Sequence, residues 1–251
     1  MRATTRFLTL LFTLGIASAT MSAPLDPIVT DRPDFTESAA TVPFRYLQIE
    51  NGYTYSQDGA TDSHTMGEWL IRWGITPDVE LRFSPPSIQI EGDINGFTDS
   101  GVGVKFSLLQ DTASGIPATS IILLGSILTG VSAFREADIQ LTSKLCMGWD
   151  ISDQWSVASN INVGWNGSGD ARCTQWAGST SLGYSISDTM GTYFEYYGLY
   201  PTKKNGDSTH VFNTGLSYLI NSNLQVDIRI GKELGNSSWF LGAGSAVRFP
   251  I

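Results

Sequence analysis

Residues 138–165 read DIQLTSKLCMGWDISDQWSVASNINVGW. Ile139, Leu141, Leu145, Met147 and Trp149 fall on one parity, and Asp138, Gln140, Thr142 and Lys144 on the other. After a polar break the alternation resumes: Trp155, Val157, Ile161, Val163 and Trp165 oppose Ser156, Asn160 and Asn162. A period of two puts successive side chains on opposite faces, which is the mark of a strand and not of a helix. The break, Asp150-Ile-Ser-Asp-Gln, has the residues that close tight turns through side-chain to backbone hydrogen bonds. The stretch therefore predicts a long hairpin with one apolar and one polar face.

The break recurs. Trp73-Gly-Ile-Thr-Pro-Asp-Val, Trp149-Asp-Ile-Ser-Asp-Gln-Trp, Tyr184-Ser-Ile-Ser-Asp-Thr-Met and Tyr218-Leu-Ile-Asn-Ser-Asn-Leu share an aromatic, an Ile two residues on, and a short polar turn. Their isoleucines are Ile75, Ile151, Ile186 and Ile220, and the gap between the first two leaves room for one degenerate copy near Leu109–Gly115. Repetition at this spacing means a repeated supersecondary unit, here a hairpin. Twelve strands are predicted, near 44–55, 65–75, 78–84, 100–109, 117–129, 138–149, 154–165, 173–186, 191–200, 209–219, 224–232 and 238–249. Most are longer than the five or six residues, roughly, of a globular strand and match the 9–11, roughly, that cross a bilayer at a tilt. The repeat turns are short, and the other connections, such as 84–99 and 200–208, are longer and polar. Short turns at one end and long loops at the other are the pattern of an outer-membrane barrel.

The placement of charge agrees. The polar parity carries Glu50, Glu68, Arg72, Glu80, Arg82, Lys105, Asp138, Lys144, Glu195, Asp227, Arg229 and Arg248, and the apolar parity is expected to carry none. A water-filled lumen tolerates charge that would cost about 2–4 kcal/mol on a lipid face. Aromatics gather by the short turns (Trp73, Trp149, Trp155, Tyr184, Tyr218, Phe249) and at the far ends (Tyr53, Trp165, Trp176, Phe212, Trp239), as two interfacial girdles would. The expected fold is an all-β, transmembrane, antiparallel up-and-down barrel of about twelve strands. A soluble β-sandwich is the alternative; it calls for shorter strands and no aromatic bands.

Composition narrows the classes further. The chain has 251 residues, only 16% of them charged, 11% aromatic, with a net charge of −9. Disorder and helical coiled coils are excluded by these fractions, and the sign of the charge disfavours nucleic acid. Arg2 and Arg6, the apolar run Phe7–Ala17 and Ala17-Ser18-Ala19 read as a secretory signal peptide over 1–19, or 1–23 if cleavage follows Met21-Ser22-Ala23. Residues 20–43 then form an N-terminal periplasmic segment and 44–251 the barrel. Removing two arginines and no acid takes the mature charge to −9 − 2 = −11. No later apolar run is long enough for a membrane helix. Cys146 and Cys173 lie near different strand ends and are expected to be unpaired.

Several stretches resemble the outer-membrane transporter family named for the MetA pathway of phenol degradation. They are Thr30-Asp31-Arg32-Pro33-Asp34-Phe35-Thr36-Glu37-Ser38, Tyr46–Tyr53, Glu68–Arg82, Asp99–Phe106 and Gly242–Phe249. The resemblance implies an outer-membrane barrel in a diderm bacterium with a transport role. It also marks Asp31, Arg32, Pro33 and Asp34 as a family motif before the first strand. One departure is that Phe249, the aromatic that assembly machinery would read, is followed by Pro250 and Ile251.

The functional expectation is a narrow channel or gated pore for small solutes, hydrophobic or aromatic ones among them, lined by Glu50, Glu68, Arg72, Arg82, Lys105, Lys144, Glu195 and Arg229. Twelve strands lie between side-chain-filled barrels of eight and open porins of sixteen. The segment Asp31–Glu37 is read as either a plug that pairs with lumen charges or a cap on the first strand. Both termini are expected in the periplasm, with outer-membrane lipids and the barrel-assembly machinery as partners. A structural barrel without transport is the alternative. Catalysis is the rival class, resting on His64 and His210 with Asp62, Ser63, Asp207 and Ser208 beside them; sequence neighbours alone do not make a triad, so no enzyme is expected. No cofactor and no metal are expected: Asp93, Asn95 and Asp99 lack the EF-hand spacing.

Overall fold

The computed structural model describes residues 25–32, 35–110, 115–166, 173–202 and 206–251, without the side chains of Asn166 and Cys173. The expected signal peptide, Pro33, Asp34 and most of the degenerate turn copy lie outside the described residues. The strands are β1 (Tyr46–Asp58), β2 (Thr61–Gly74), β3 (Val79–Ser84), β4 (Ile88–Glu91), β5 (Ile94–Phe97), β6 (Ser100–Leu109), β7 (Ala118–Ile127), β8 (Leu141–Asp150), β9 (Trp155–Asn166), β10 (Cys173–Ser185), β11 (Met190–Pro201), β12 (Thr209–Asn221), β13 (Leu224–Glu233) and β14 (Trp239–Pro250). Twelve of them, β1 to β3 and β6 to β14, pair in chain order, and β14 returns to β1 to close an antiparallel barrel.

The barrel is apolar outside and polar inside. Trp73, Leu81, Phe83, Leu123, Ile161, Trp165, Phe194, Phe212, Ile228 and Ile230 lie on the surface, while Glu50, Arg72, Glu80, Lys105 and Glu195 are fully buried. A soluble sandwich would bury the first set. This inversion excludes it, since only a lipid surround favours an apolar exterior. The charge-free exterior fails at Lys232, which the predicted strand 224–232 includes. Lys232 is exposed and pairs across the ladder with Phe212 and Trp239 on the outer face. It sits at the long-loop end of β13, where the cost of charge falls towards zero at the interface. Asp138 is not a strand residue. β8 begins at Leu141, and Asp138 accepts the N–H of Ile139 (2.8 Å) in the preceding loop.

The repeated turns explain the repeated sequence. The N–H groups of Ile75 and Thr76 donate to the Val79 carbonyl (3.0 and 3.3 Å). Those of Ile151 and Ser152 donate to Trp155 (2.8 and 3.1 Å), and those of Ile186 and Ser187 to Met190 (2.9 and 3.1 Å). The hydroxyls of Ser152 and Ser187 accept N–H groups inside their turns. The β12–β13 connection is shorter, and Asn221 Oδ1 accepts the Asn223 N–H (2.8 Å).

At the other end two expected loops are partly strand. β1 and β2 run on to a tight turn at Gly59, which has φ of 59°, a region favourable to glycine. Within 84–99, β4 and β5 form a hairpin that pairs with β2 beyond the end of β3. The last strand is fully paired despite Pro250 and Ile251: Phe249 lies opposite Leu47, and Ile251 donates to the Arg45 carbonyl (2.9 Å). Cys146 is a buried free thiol. It lies opposite Asn160, which lies opposite Ser179 on β10, six residues from Cys173. At about 3.3 Å per residue that is roughly 20 Å, too far for a disulfide.

Candidate functional site: a charged lumen filled by the N-terminal segment

The register brings the lumen charges together. Arg72 on β2 lies directly opposite Arg82 on β3, and Glu80 on β3 opposite Lys105 on β6. Like charges across a strand pair repel, so the Arg72–Arg82 pair needs acids between its members. Glu80 is one: its carboxylate accepts from Arg72 Nε (2.9 Å) and Nη2 (2.9 Å) and from Arg82 Nη1 (2.9 Å). Glu50 on β1 accepts from Arg72 Nη1 (3.0 Å).

The other acid is Asp31, from outside the barrel strands. The described residues 25–32 and 35–43 enter the lumen from the short-turn end. There Thr41 donates to the Pro77 carbonyl (3.1 Å) and the Ile28 N–H to that of Ser222 (2.8 Å). Asp31 Oδ2 meets Arg82 Nη1 (2.6 Å), Lys105 Nζ (3.1 Å) and Arg72 Nη1 (3.4 Å). Glu37 bridges Arg82 Nη2 (2.7 Å) and Lys144 Nζ (2.5 Å). Arg32 reaches Glu68 on β2 (2.7 Å).

An irregular segment inside a barrel must still satisfy its backbone donors. Three wall carboxylates do so. Glu50 accepts the N–H groups of Asp31 (3.1 Å) and Arg32 (3.0 Å). Glu195, on β11 across the lumen, accepts those of Phe35 (2.9 Å) and Thr36 (2.5 Å). Glu80 accepts that of Val42 (2.8 Å). Burial alone would raise the carboxyl pKa of Asp31, but Arg72, Lys105 and Arg82 outweigh it and hold the group well below its usual range. Burial also opposes ionisation of Glu37, and Arg82 and Lys144 again reverse the direction. Both stay ionised while docked.

The residues singled out in the sequence thus fall into two groups joined by the segment. Glu50, Arg72, Arg82, Lys105 and Lys144 surround Asp31 and Glu37, with Glu195 on the facing wall. Glu68 and Arg229 meet near Arg32, with Arg229 Nη2 3.6 Å from Glu68 Oε1 and 2.9 Å from Thr54 Oγ1. A bulge at Gly67–Glu68, where φ is 102° and 40°, shifts the parity of β2 and turns Glu68 into the lumen. Sequence reasoning placed Glu80 in the lumen without seeing it as a hub, and gave Glu37 no partner. It missed Gly74, where a Cβ would collide with the Val42 and Pro43 carbonyls of the entering segment. The segment leaves two cavities at the short-turn mouth, of about 310 and about 860 Å³, edged by small residues such as Ser156, Ala158 and Ser181.

The histidines are elsewhere. His64 Nδ1 pairs with Tyr53 OH (2.7 Å) and His210 Nδ1 with Tyr196 OH (2.6 Å), both in the outer aromatic belt. Ser63, next to His64 on the same strand, points to the opposite face and cannot be its nucleophile. Asp99 ties loops together by accepting the N–H groups of Gly130 (2.8 Å) and Glu136 (2.9 Å).

In fold the chain is similar to the crystal structure of an outer membrane channel from Pseudomonas putida F1, with a TM-score of 0.63 and 12% identity over 84% of this chain and 98% of that one. It is also similar to the KdgM porin, with a TM-score of 0.53 and 14% identity over 80% and 99%. A sequence search of curated proteins returns no match. The family model described as "Putative MetA-pathway of phenol degradation" matches residues 30–249, from the Asp31 seat to the last strand, and the chain belongs to that family.

Proposed function

We propose that the protein is an outer-membrane channel for small solutes, held closed in the state described here by its own residues 26–43. The short-turn end and both chain ends face the periplasm in this reading, residues 1–19 are the export signal, and the barrel-assembly machinery inserts the chain. Glu50, Glu68, Arg72, Arg82, Lys105, Lys144, Glu195 and Arg229 line the path once the segment leaves. The observation that carries the proposal is the seat of Asp31: one carboxylate from a separate segment, inserted among three wall cations that lack enough acid of their own. A side chain so placed can be withdrawn without breaking a strand. Towards the long loops Phe35 stacks on Tyr197 (4.3 Å between centroids) and Arg229 lies over Phe240 (5.2 Å). Once the segment leaves, the wall rings of Tyr197 and Phe240 favour solutes with an apolar or aromatic part. The fold resemblance to a channel and a porin supports transport over catalysis, as does the placing of Ser63 and His64 on opposite faces.

Deletion of residues 24–38, followed by single-channel recording in planar bilayers, tests this. The deletion is expected to raise conductance well above that of the intact chain, and unchanged conductance would sink the gate. The full burial of the Arg72–Glu50–Glu80 network favours a second reading, a permanently sealed structural barrel, because buried paired charges also serve fixed architecture. A truncated barrel that folds and carries no current would select it.

A further inference from the structure

The closing pair of strands is the one least specified by its own side chains. At its centre Glu50, Asn51, Gly52, Tyr53 and Thr54 on β1 lie opposite Ala246, Ser245, Gly244, Ala243 and Gly242 on β14. The last strand contributes nothing there larger than serine. A glycine-rich ladder with small residues on both faces resists slippage poorly, since a shift of two residues keeps every face and loses little packing.

The N-terminal segment lies across this seam and is tied to both sides of it. On one side Arg248 of β14 donates to the Asp26 carbonyl (2.7 Å), and Gln225 of β13 donates to Thr30 Oγ1 (2.9 Å). On the other, Gln48 of β1 donates to the Val29 carbonyl (2.9 Å), Arg72 of β2 to the same carbonyl (3.1 Å), and Glu50 of β1 accepts the Asp31 and Arg32 N–H groups. Gly52 and Gly244 are directly opposite each other. A Cβ on Gly52 would collide with the Arg32 guanidinium, and one on Gly244 would come within 2.9 Å of its Nε. The guanidinium therefore rests on the bare backbone of the seam. Its Nη1 is held by Glu68, one strand beyond β1. Its Nε and Nη2 make no hydrogen bond among the described residues, and neither do the two carboxylate oxygens of buried Asp227, which lies opposite Gly244 one strand beyond β14. Arg32 is thus flanked by an acid on each side of the closure.

We infer that residues 26–32 are an intramolecular clamp that sets the register of the β1–β14 seam as the barrel closes, with Arg32 as its positioning residue. The clamp does not depend on the lumen ever opening, so it can hold or fail independently of channel activity. Slippage by two would carry Gly244 away from Gly52, put the Ala246 side chain under the guanidinium, and move Arg248 from Asp26. Slippage the other way would bring Gly242 opposite Gly52 and leave room for the guanidinium, but it would still move Arg248 from Asp26.

The test is carried out on the full chain with Cys146 and Cys173 replaced by Ser. Asn51 and Ser245 touch on the outer face, with Nδ2 3.1 Å from Oγ, so Asn51→Cys with Ser245→Cys reports the native register. Asn51→Cys with Val247→Cys reports the slip of two that brings Ala246 opposite Gly52. Disulfide formation is followed on denaturing gels during refolding into lipid vesicles. Arg32→Ala is expected to lower the native cross-link and raise the slipped one several-fold. Glu195→Gln, which weakens docking far from the seam, should leave both as in the parent. Failure of Arg32→Ala alone to reach a folded barrel would also support the clamp. Parent-like cross-linking in Arg32→Ala would overturn it. Equal impairment in both variants would overturn it too, because general docking would then account for the effect.

Discussion

Asp31 shows how much can rest on one carboxylate. It is the only acid in ion-pair range of Lys105 among the described residues and is shared by Arg72 and Arg82. Removing one partner of a buried ion cluster strands the others. Asp31→Ala is expected to cost about 3–5 kcal/mol of stability, read as a fall in the temperature at which the compact band on a denaturing gel is lost. Conductance should rise in the same variant. Cys146 offers a second readout. It is buried on the lumen face two residues from Lys144, under the segment. In a Cys173→Ser background its reaction with a maleimide is expected to be slow, and several-fold faster in Glu37→Ala, which releases Arg82 and Lys144. Equal rates would show that Glu37 does not hold the segment down. The polar parity of Arg72, Arg82, Lys105 and Glu195 was plain in the sequence, because alternation assigns a face residue by residue. The partnerships were not. They depend on register between strands and on a segment with no periodicity of its own.

Among the elements, β2 departs furthest from the simple alternation. Its bulge at Gly67–Glu68 reverses the faces, so that Thr65 and Glu68, of opposite parity, both look inward. Gly67 has φ of 102°, and a Cβ there would also meet the Trp69 indole. Gly67→Val is expected to destabilise the barrel by about 1–3 kcal/mol through backbone strain and to misplace Glu68. Thermal melting of the refolded variant against the parent checks this, and an unchanged midpoint would contradict it. Strand existence and the short turns were legible because the Ile-Ser/Thr-polar pattern repeats the same hydrogen bonds. The β4–β5 hairpin was not, although Ile88 and Ile90 alternate with Gln89 and Glu91. Four-residue strands beside Pro85 and Pro86 in a polar stretch look like a loop, and pairing to the overhang of β2 is a tertiary effect.

At the scale of the whole molecule the barrel is a soluble protein turned inside out, and its pH response follows from the lumen. The docked state depresses the carboxyl pKa values of Asp31 and Glu37. Stability from a depressed carboxylate is present above its unperturbed pKa, roughly 4 for these groups, and is lost as pH falls through the docked value. The segment should therefore stay docked from neutral pH down to about 5 and release only below the usual carboxylate range. Conductance measured across that range is expected to be flat and then to rise, and a rise centred near neutrality would point to groups other than these two.

Gly52, Gly244 and Arg32 occupy one volume, because the guanidinium fills the space that two side chains would take. Their mutational fates are consequently linked. While residue 32 keeps a long side chain, the two glycines cannot be exchanged without displacing it. Once residue 32 becomes small, position 52 is released and a larger residue there could interlock the strands directly, while a Cβ at position 244 would still come within 2.6 Å of the Asn51 carbonyl oxygen. The present seam leaves register to a segment that is not part of the wall. A lineage that filled position 52 would move that information into the strands themselves, and the N-terminal residues would be free to change or disappear.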